Sequence, residues 1–305
     1  MGFNIAKDYV DRDEERARFH AMRSGKTDER ILVILVPGEK GKSCLLSRLR
    51  YECEKEAPST PLVLLDFDRR RSTLSDEFSV AQEIRRCCGD ACVSRVCECL
   101  DEMTRPVAPI HIQTGAGTGS VDFGRHGRFN EAEVSDIAGR DNISVSVNAA
   151  AGFALTPEQR EAQKERLGRA LRDDLLELGE AHARAVILID TFEQISTEMR
   201  AWLERWLFEP LCQAHNVMLV IAGRPQHPDF PLRSYFEQPH RWSYLIETVE
   251  RFPPFAHAEV QIFFHRQGVP IALEEYHLLA AACENPALMR LLADQLRQQY
   301  QGGAR

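Results

Sequence analysis

The residues whose types and spacing carry most chemistry are Gly41, Lys42 and Ser43, which close the run Pro37-Gly38-Glu39-Lys40-Gly41-Lys42-Ser43-Cys44. A glycine-rich turn wraps backbone N–H groups around phosphates, a Lys ammonium reaches the same oxygens, and a Ser hydroxyl ligates Mg²⁺. Two other stretches offer matching groups. Asp190 ends an apolar run and Glu193 lies just beyond it, so one carboxylate is placed to hold Mg²⁺ beside Ser43 and the other to orient an attacking water. Arg224 leaves another apolar run and reads either as a phosphate-sensing cation or as a solvated surface residue.

Such groups need strands to bring them together. Ile31 to Val36 is an apolar run leading into the turn, and Leu45, Leu46 and Leu49 recur at helical spacing after it, so strand, glycine turn and amphipathic helix follow in the order a phosphate-binding loop requires. The pattern has one departure: the full motif begins with a Gly where Val36 stands, which leaves Gly38 to supply the backbone freedom of the turn. Three more runs read as strands: Pro61 to Asp68 and Ala185 to Asp190, both buried on two faces, and Asn216 to Ala222. Asp66 and Asp68 then lie at a strand end, where ligands collect in open α/β sheets.

Between the strands the pattern is helical. Asp11 with Glu14 resembles a capping box opening a surface helix that carries Phe19 and Met22. Thr156, Pro157 and Gln159 start a second helix, with Leu167, Leu171, Leu175 and Leu178 as its buried stripe. From Phe255 onward Val260, Phe263 and Phe264, then Tyr276, Leu278 and Leu279, then Leu288, Leu291, Leu292 and Leu296 mark further helices, the last opened by Asn285-Pro286. Residues 105–152 break the pattern as a glycine-rich insert, with Ile143, Val145 and Val147 as a short half-buried strand. The insert is either a passive surface loop or a ribbon that docks another chain.

Composition bounds the function classes. The 305 residues carry a net charge of −8 and no long Lys/Arg run, which speaks against nucleic acid or an anionic membrane as partner, a local basic groove excepted. No stretch reaches the length of a membrane span and the N-terminus has no signal-peptide core, so a cytoplasmic location is expected. Of nine cysteines, Cys87, Cys88, Cys92, Cys97 and Cys99 cluster without paired zinc-ligand spacing, so buried small apolar residues are favoured over a metal site.

Taken together these residues resemble the STAND class of AAA+-related P-loop NTPases, the signalling ATPases that include NACHT and apoptotic-type members and many bacterial defence proteins. The resemblance rests on Val10-Asp11-Arg12-Asp13-Glu14, on Pro37 to Ser43 as Walker A, and on Ile187 to Glu193 as Walker B. It extends to Val220 to Arg224 as a strand-plus-Arg sensor and to Glu284 to Leu288, where Glu284 replaces the Gly of a Gly-x-Pro motif. It implies a parallel α/β core over residues 1–252, interrupted by the insert, with strand order as in the AAA+ class and a helical lid over 253–305. It also implies an ATP/ADP switch using Mg²⁺. Lys42 would hold the phosphates, Ser43 and Asp190 the metal, Glu193 the water and Arg224 the γ-phosphate. Backbone near Val10, with Arg12, and Pro286 of the lid would complete the nucleotide site. The chain has neither an effector domain nor a sensor-repeat array, which implies a shortened chain or a core working with partners: its own copies, or a separate effector or sensor chain. The rival expectation is a non-hydrolysing interaction scaffold.

Overall fold

The computed structural model describes residues 12–58, 60–68, 74–104, 111–114, 117–120, 156–181, 184–228, 230–269, 279 and 286–302. Val10, Asp11, Glu284 and the expected strand at Ile143 to Val147 lie outside them. The first half of the chain runs α1 (Asp13–Arg23), β1 (Ile31–Leu35), α2 (Lys42–Glu56), β2 (Leu62–Asp66), α3 (Glu77–Cys88), α4 (Ser94–Thr104), and a hairpin of β3 (His111–Thr114) and β4 (Gly117–Ser120). There follow α5 (Pro157–Ala181), β5 (Ala185–Asp190), α6 (Thr197–Leu203), β6 (Val217–Gly223), α7 (Leu232–Phe236), β7 (Ile246–Val249), α8 (His257–Arg266) and α9 (Pro286–Gly302).

Five strands form one parallel sheet in the order β2-β5-β6-β1-β7. Every residue of β1, β5 and β6 is buried, as continuous apolar runs in a sheet covered on both faces must be. Ile31, Val33 and Leu35 face a core with Val80, Ile84, Val96, Leu100, Leu171 and Leu175 of α3, α4 and α5. Leu32, Ile34 and Val36 face the opposite way, onto Phe19 and Met22 of α1 and Leu45, Leu46 and Leu49 of α2.

Several expectations change. The β2 strand is not buried on both faces: only Val63 and Leu65 are fully covered, because β2 is the sheet's edge and Leu62 and Leu64 meet fewer neighbours. Nor is α1 an ordinary surface helix, since Phe19 and Met22 are wholly buried under the sheet. Arg12, not Asp11, takes its N-cap position, and the Arg12 side chain makes no capping bond. Sequence reasoning missed β7, whose four residues Ile246-Glu247-Thr248-Val249 are too short and mixed to stand out as an apolar run. The insert contributes the β3–β4 hairpin, ahead of the strand expected within it.

The α5 cap forms as read: the Thr156 hydroxyl accepts from Gln159 N at 3.2 Å, and the Gln159 side chain accepts from Thr156 N at 2.9 Å. Leu167, Leu171, Leu175 and Leu178 are buried along its inner stripe. Cys97 and Cys99 are buried in the same core, with Cys87, Cys88 and Cys92 packed against it as partly buried apolar residues. A separate cluster of Phe255, Val260, Phe263, Phe264, Val269, Met289 and Ala293 joins α8 to α9. On α9 the covered residues are Met289 and Ala293, with Leu292 and Leu296 partly so, whereas Leu288 and Leu291 are exposed.

Asp174 of α5 is 1% exposed and accepts from the backbone N–H groups of Val96 at 2.9 Å and Arg95 at 3.3 Å, so it caps α4 from a neighbouring helix. Its contact with the Arg95 side chain is discounted because that guanidinium is 42% exposed. Asp174→Ala removes the acceptor for buried backbone donors and should lower stability by about 1.5–3 kcal/mol. Urea denaturation of the two proteins measures it; a change under about 0.5 kcal/mol contradicts the assignment of this cap.

Candidate functional site

Parallel register carries the reactive residues to one edge of the sheet. Leu35 pairs with Gly223, Ile189 with Ile221 and Asp66 with Asp190, so the loop after β1, the acids after β5 and the Arg after β6 leave side by side. The strand β6 lies between the glycine-rich loop and the strand ending in Asp190.

The loop solves its turn differently from the expectation. Val36 continues the alternation of β1 and is 2% exposed, packed with Leu32 and Ile34 in the core beneath α1 and α2. Gly38 does not adopt positive φ; the left-handed positions are Glu39 at φ 63° and Gly41 at φ 92°. Gly38 lies beside Arg224, where a Cβ would make ordinary van der Waals contact, 3.4 Å from the guanidinium. Gly41 is the N-cap of α2, no side chain caps that helix, and its positive end faces the loop. Pro37 is exposed, and Lys40, Ser43 and Cys44 complete the loop around this turn.

Lys42 is buried and folds back on its own loop, donating to Val36 O at 2.6 Å and Pro37 O at 2.9 Å. Burial pushes its pKa down, opposed by the charges of Glu193 and Asp190. Asp190 is buried at the end of β5, and desolvation holds its carboxyl above the usual carboxylate range; a hydrogen bond from the Ser43 hydroxyl pulls it back, and the charge of Asp66 raises it further. Ser43 and Asp190 therefore meet, as expected, and present hydroxyl and carboxylate oxygens of the kind Mg²⁺ prefers.

Beyond Asp190 the chain turns through Thr191 at φ 58° and ψ 40°, a left-handed conformation costly for a β-branched residue. The Thr191 N–H donates to Asp190 Oδ1 at 2.8 Å. Phe192, wholly buried against Phe208, Tyr235 and Phe236, anchors the turn that presents Glu193. Glu193 is buried and already engaged: its Oε2 accepts from Arg224 N at 3.1 Å, and Arg224 Nε lies 3.4 Å from its Oε1. The residues nominated for water and γ-phosphate are thus partners of each other.

Two nominated residues lie on the chain's ends. Pro286 opens α9 against the loop, with its Cγ 2.9 Å from where a Cβ on Gly41 would be. The Arg12 guanidinium stacks between Phe252 and Phe255, 4.5 and 4.4 Å from their centroids, and donates to Pro253 O at 2.7 Å. Sequence reasoning placed Asp66 at a ligand-collecting strand end without giving it a role, and did not nominate Thr191 or Phe192. The left-handed Thr191 left no signal in residue type.

Compared with solved structures, the chain is similar to the Walker-type ATPase of Pyrococcus abyssi, with a TM-score of 0.50, 15% sequence identity, and coverage of 96% of this chain and 69% of that one. At that identity the likeness establishes the fold, that of a P-loop NTPase. No family model matches the chain, and no curated protein matches it. Among the described residues no helix is long and apolar enough to cross a membrane.

Gly41→Ala should cost about 1–2 kcal/mol for a Cβ at positive φ, plus a clash with Pro286. Pro286→Ala introduced into Gly41→Ala should recover only the clash portion. A double-mutant cycle by thermal melting measures both; purely additive losses would show that α9 does not press on the loop in solution.

Proposed function

We propose that this chain is an ATP-binding, Mg²⁺-dependent P-loop NTPase acting as a STAND-type switch, whose nucleotide state governs self-association or engagement of a separate effector or sensor chain in bacterial signalling or defence. The observation that carries the nucleotide reading is the convergence of Lys42, Ser43, Asp190, Glu193 and Arg224 on one sheet edge above an uncapped helix N-terminus. The resemblance of the motifs supports the switch.

In this reading Lys42 exchanges two backbone carbonyls for phosphate oxygens. The exchange is accessible because a buried ammonium held by neutral acceptors gains from a full negative charge. Ser43 and Asp190 would hold Mg²⁺, which would supply positive charge to offset that of the phosphates. Glu193 Oε1 faces a water once the Arg224 guanidinium turns from it, while Oε2 keeps the Arg224 backbone N–H. A γ-phosphate competes with Glu193 for that guanidinium, so the cation that senses the phosphate also frees the carboxylate. The contact of Pro286 with Gly41 couples the loop to α9, giving the lid a way to register what the loop holds.

The Arg224–Glu193 pair also favours a second reading, a nucleotide-binding scaffold without turnover in which Glu193 stays locked. Two measurements decide. Lys42→Ala deletes a charge-assisted contact and should weaken ATP binding by roughly 10- to 100-fold in titration calorimetry; equal affinities in the two proteins refute the nucleotide site. Glu193→Gln should leave affinity near wild type and slow phosphate release by about 10²–10⁴-fold. Wild-type turnover indistinguishable from a no-enzyme blank, alone and with partners, selects the scaffold.

A further inference from the structure

The opposite edge of the sheet holds a second gathering of polar groups that the nucleotide reading does not use. Arg30 directly precedes β1, so five residues at about 3.3 Å each place it roughly 16 Å from the glycine-rich loop. Its backbone is tied into the sheet edge, with N donating to Leu245 O at 2.9 Å and O accepting from Leu219 N at 2.8 Å. The side chain is 4% exposed. One guanidinium nitrogen donates to His215 Nδ1 at 2.9 Å, which requires that ring nitrogen to be the unprotonated one, because a guanidinium only donates. The Arg30 Nε is buried with no partner.

Arg184 directly precedes β5 and reaches the same region. Its guanidinium packs at Gly25, with a nitrogen 3.5 Å from where a Cβ there would be, and its second terminal nitrogen is buried without a partner. The Thr27 hydroxyl, in the turn between Gly25 and Arg30, is the third buried polar group without one. Desolvation pushes the pKa of both arginines down, and Arg30 lowers that of Arg184 further by like charge. Asp28 acts on both from a distance, yet among the described residues no carboxylate lies within ion-pairing reach of either guanidinium.

A buried guanidinium with a second, half-buried one beside it and no ion-paired carboxylate among the described residues is unfavourable, and the orphaned buried donors add to the cost. Guanidinium forks present paired donors in the geometry that phosphate and carboxylate oxygens accept. We propose that Arg30, Arg184 and Thr27 form a binding site for a small oxyanion, phosphate or carboxylate in chemistry, on the sheet edge opposite the glycine-rich loop. Bound there, the anion bridges the two guanidinium groups, accepts from the orphaned nitrogens and from the Thr27 hydroxyl, and relieves the repulsion between the arginines. It links the α1–β1 turn to the starts of β1 and β5. This inference stands independently of the proposed ATPase function.

The test uses Lys42→Ala protein, so that phosphate binding at the glycine-rich loop is suppressed, and titrates inorganic phosphate in one arm and acetate in the other. Phosphate or acetate should raise Tm progressively and bind at one equivalent by calorimetry, the stronger arm identifying the oxyanion class. Adding Arg184→Gln should weaken that binding by roughly tenfold or more while leaving Tm in anion-free buffer unchanged or higher, since one of two unpaired cations has gone. Thr27→Val, which removes only the hydroxyl, provides a second variant and should weaken binding by less. The proposal fails if neither anion raises Tm of the Lys42→Ala protein, or if the rise is the same after Arg184→Gln and after Thr27→Val.

Discussion

Everything at the candidate site depends on the parallel register of β1, β6 and β5. Parallel strands start at one edge and end at the other, so a loop after β1, an acid pair after β5 and an Arg after β6 meet without touching in sequence. Because these strands are buried on both faces, a one-residue register slip would drive every side chain into the opposite core, where it does not fit the packing. The positions of Lys42, Asp190, Glu193 and Arg224 therefore inherit the rigidity of the core.

The same edge concentrates charge where water is scarce. Burial works against the charged forms of Lys42 and Asp190, and each is supported by opposite charge or by a hydrogen bond from a neighbour. Glu193 is buried and held by Arg224 through a backbone N–H and a guanidinium nitrogen. Here every buried charge has an answer inside the protein, and a ligand must compete for those partners. At the other edge Arg30 Nε and Arg184 Nη1 are buried without a hydrogen-bond partner among the described residues, which makes the two ends of one sheet electrostatically unlike.

The loop shows how packing can displace a motif residue without removing the turn. Inward alternation along β1 runs Leu32, Ile34, Val36, so the position where a Gly is expected is filled by a side chain that the core beneath α1 and α2 encloses. The left-handed turn moves on to Glu39 and Gly41, while Gly38 lies beside the Arg224 guanidinium.

By itself the sequence determined the parallel α/β core, the strand–loop–helix unit and the acids and Arg at strand ends, because uninterrupted apolar runs and helical stripes are local consequences of burial. The capping box of α5 was legible from spacing alone, whereas the meeting of Ser43 with Asp190 was an implication of the resemblance to P-loop NTPases. Tertiary structure alone decided what depends on neighbours remote in sequence. The half-covered state of β2 follows from its place at the sheet edge, and the burial of Phe19 and Met22 from α1 lying under β1. The fifth strand, β7, exists because β1 offers it a backbone ladder, its own four residues being too mixed to signal one. Arg12 between Phe252 and Phe255, Arg224 on Glu193 and Gly38, and Arg184 beside Arg30 are likewise long-range encounters. A side chain's type states what it can bind, but only the packed fold decides which partner reaches it first.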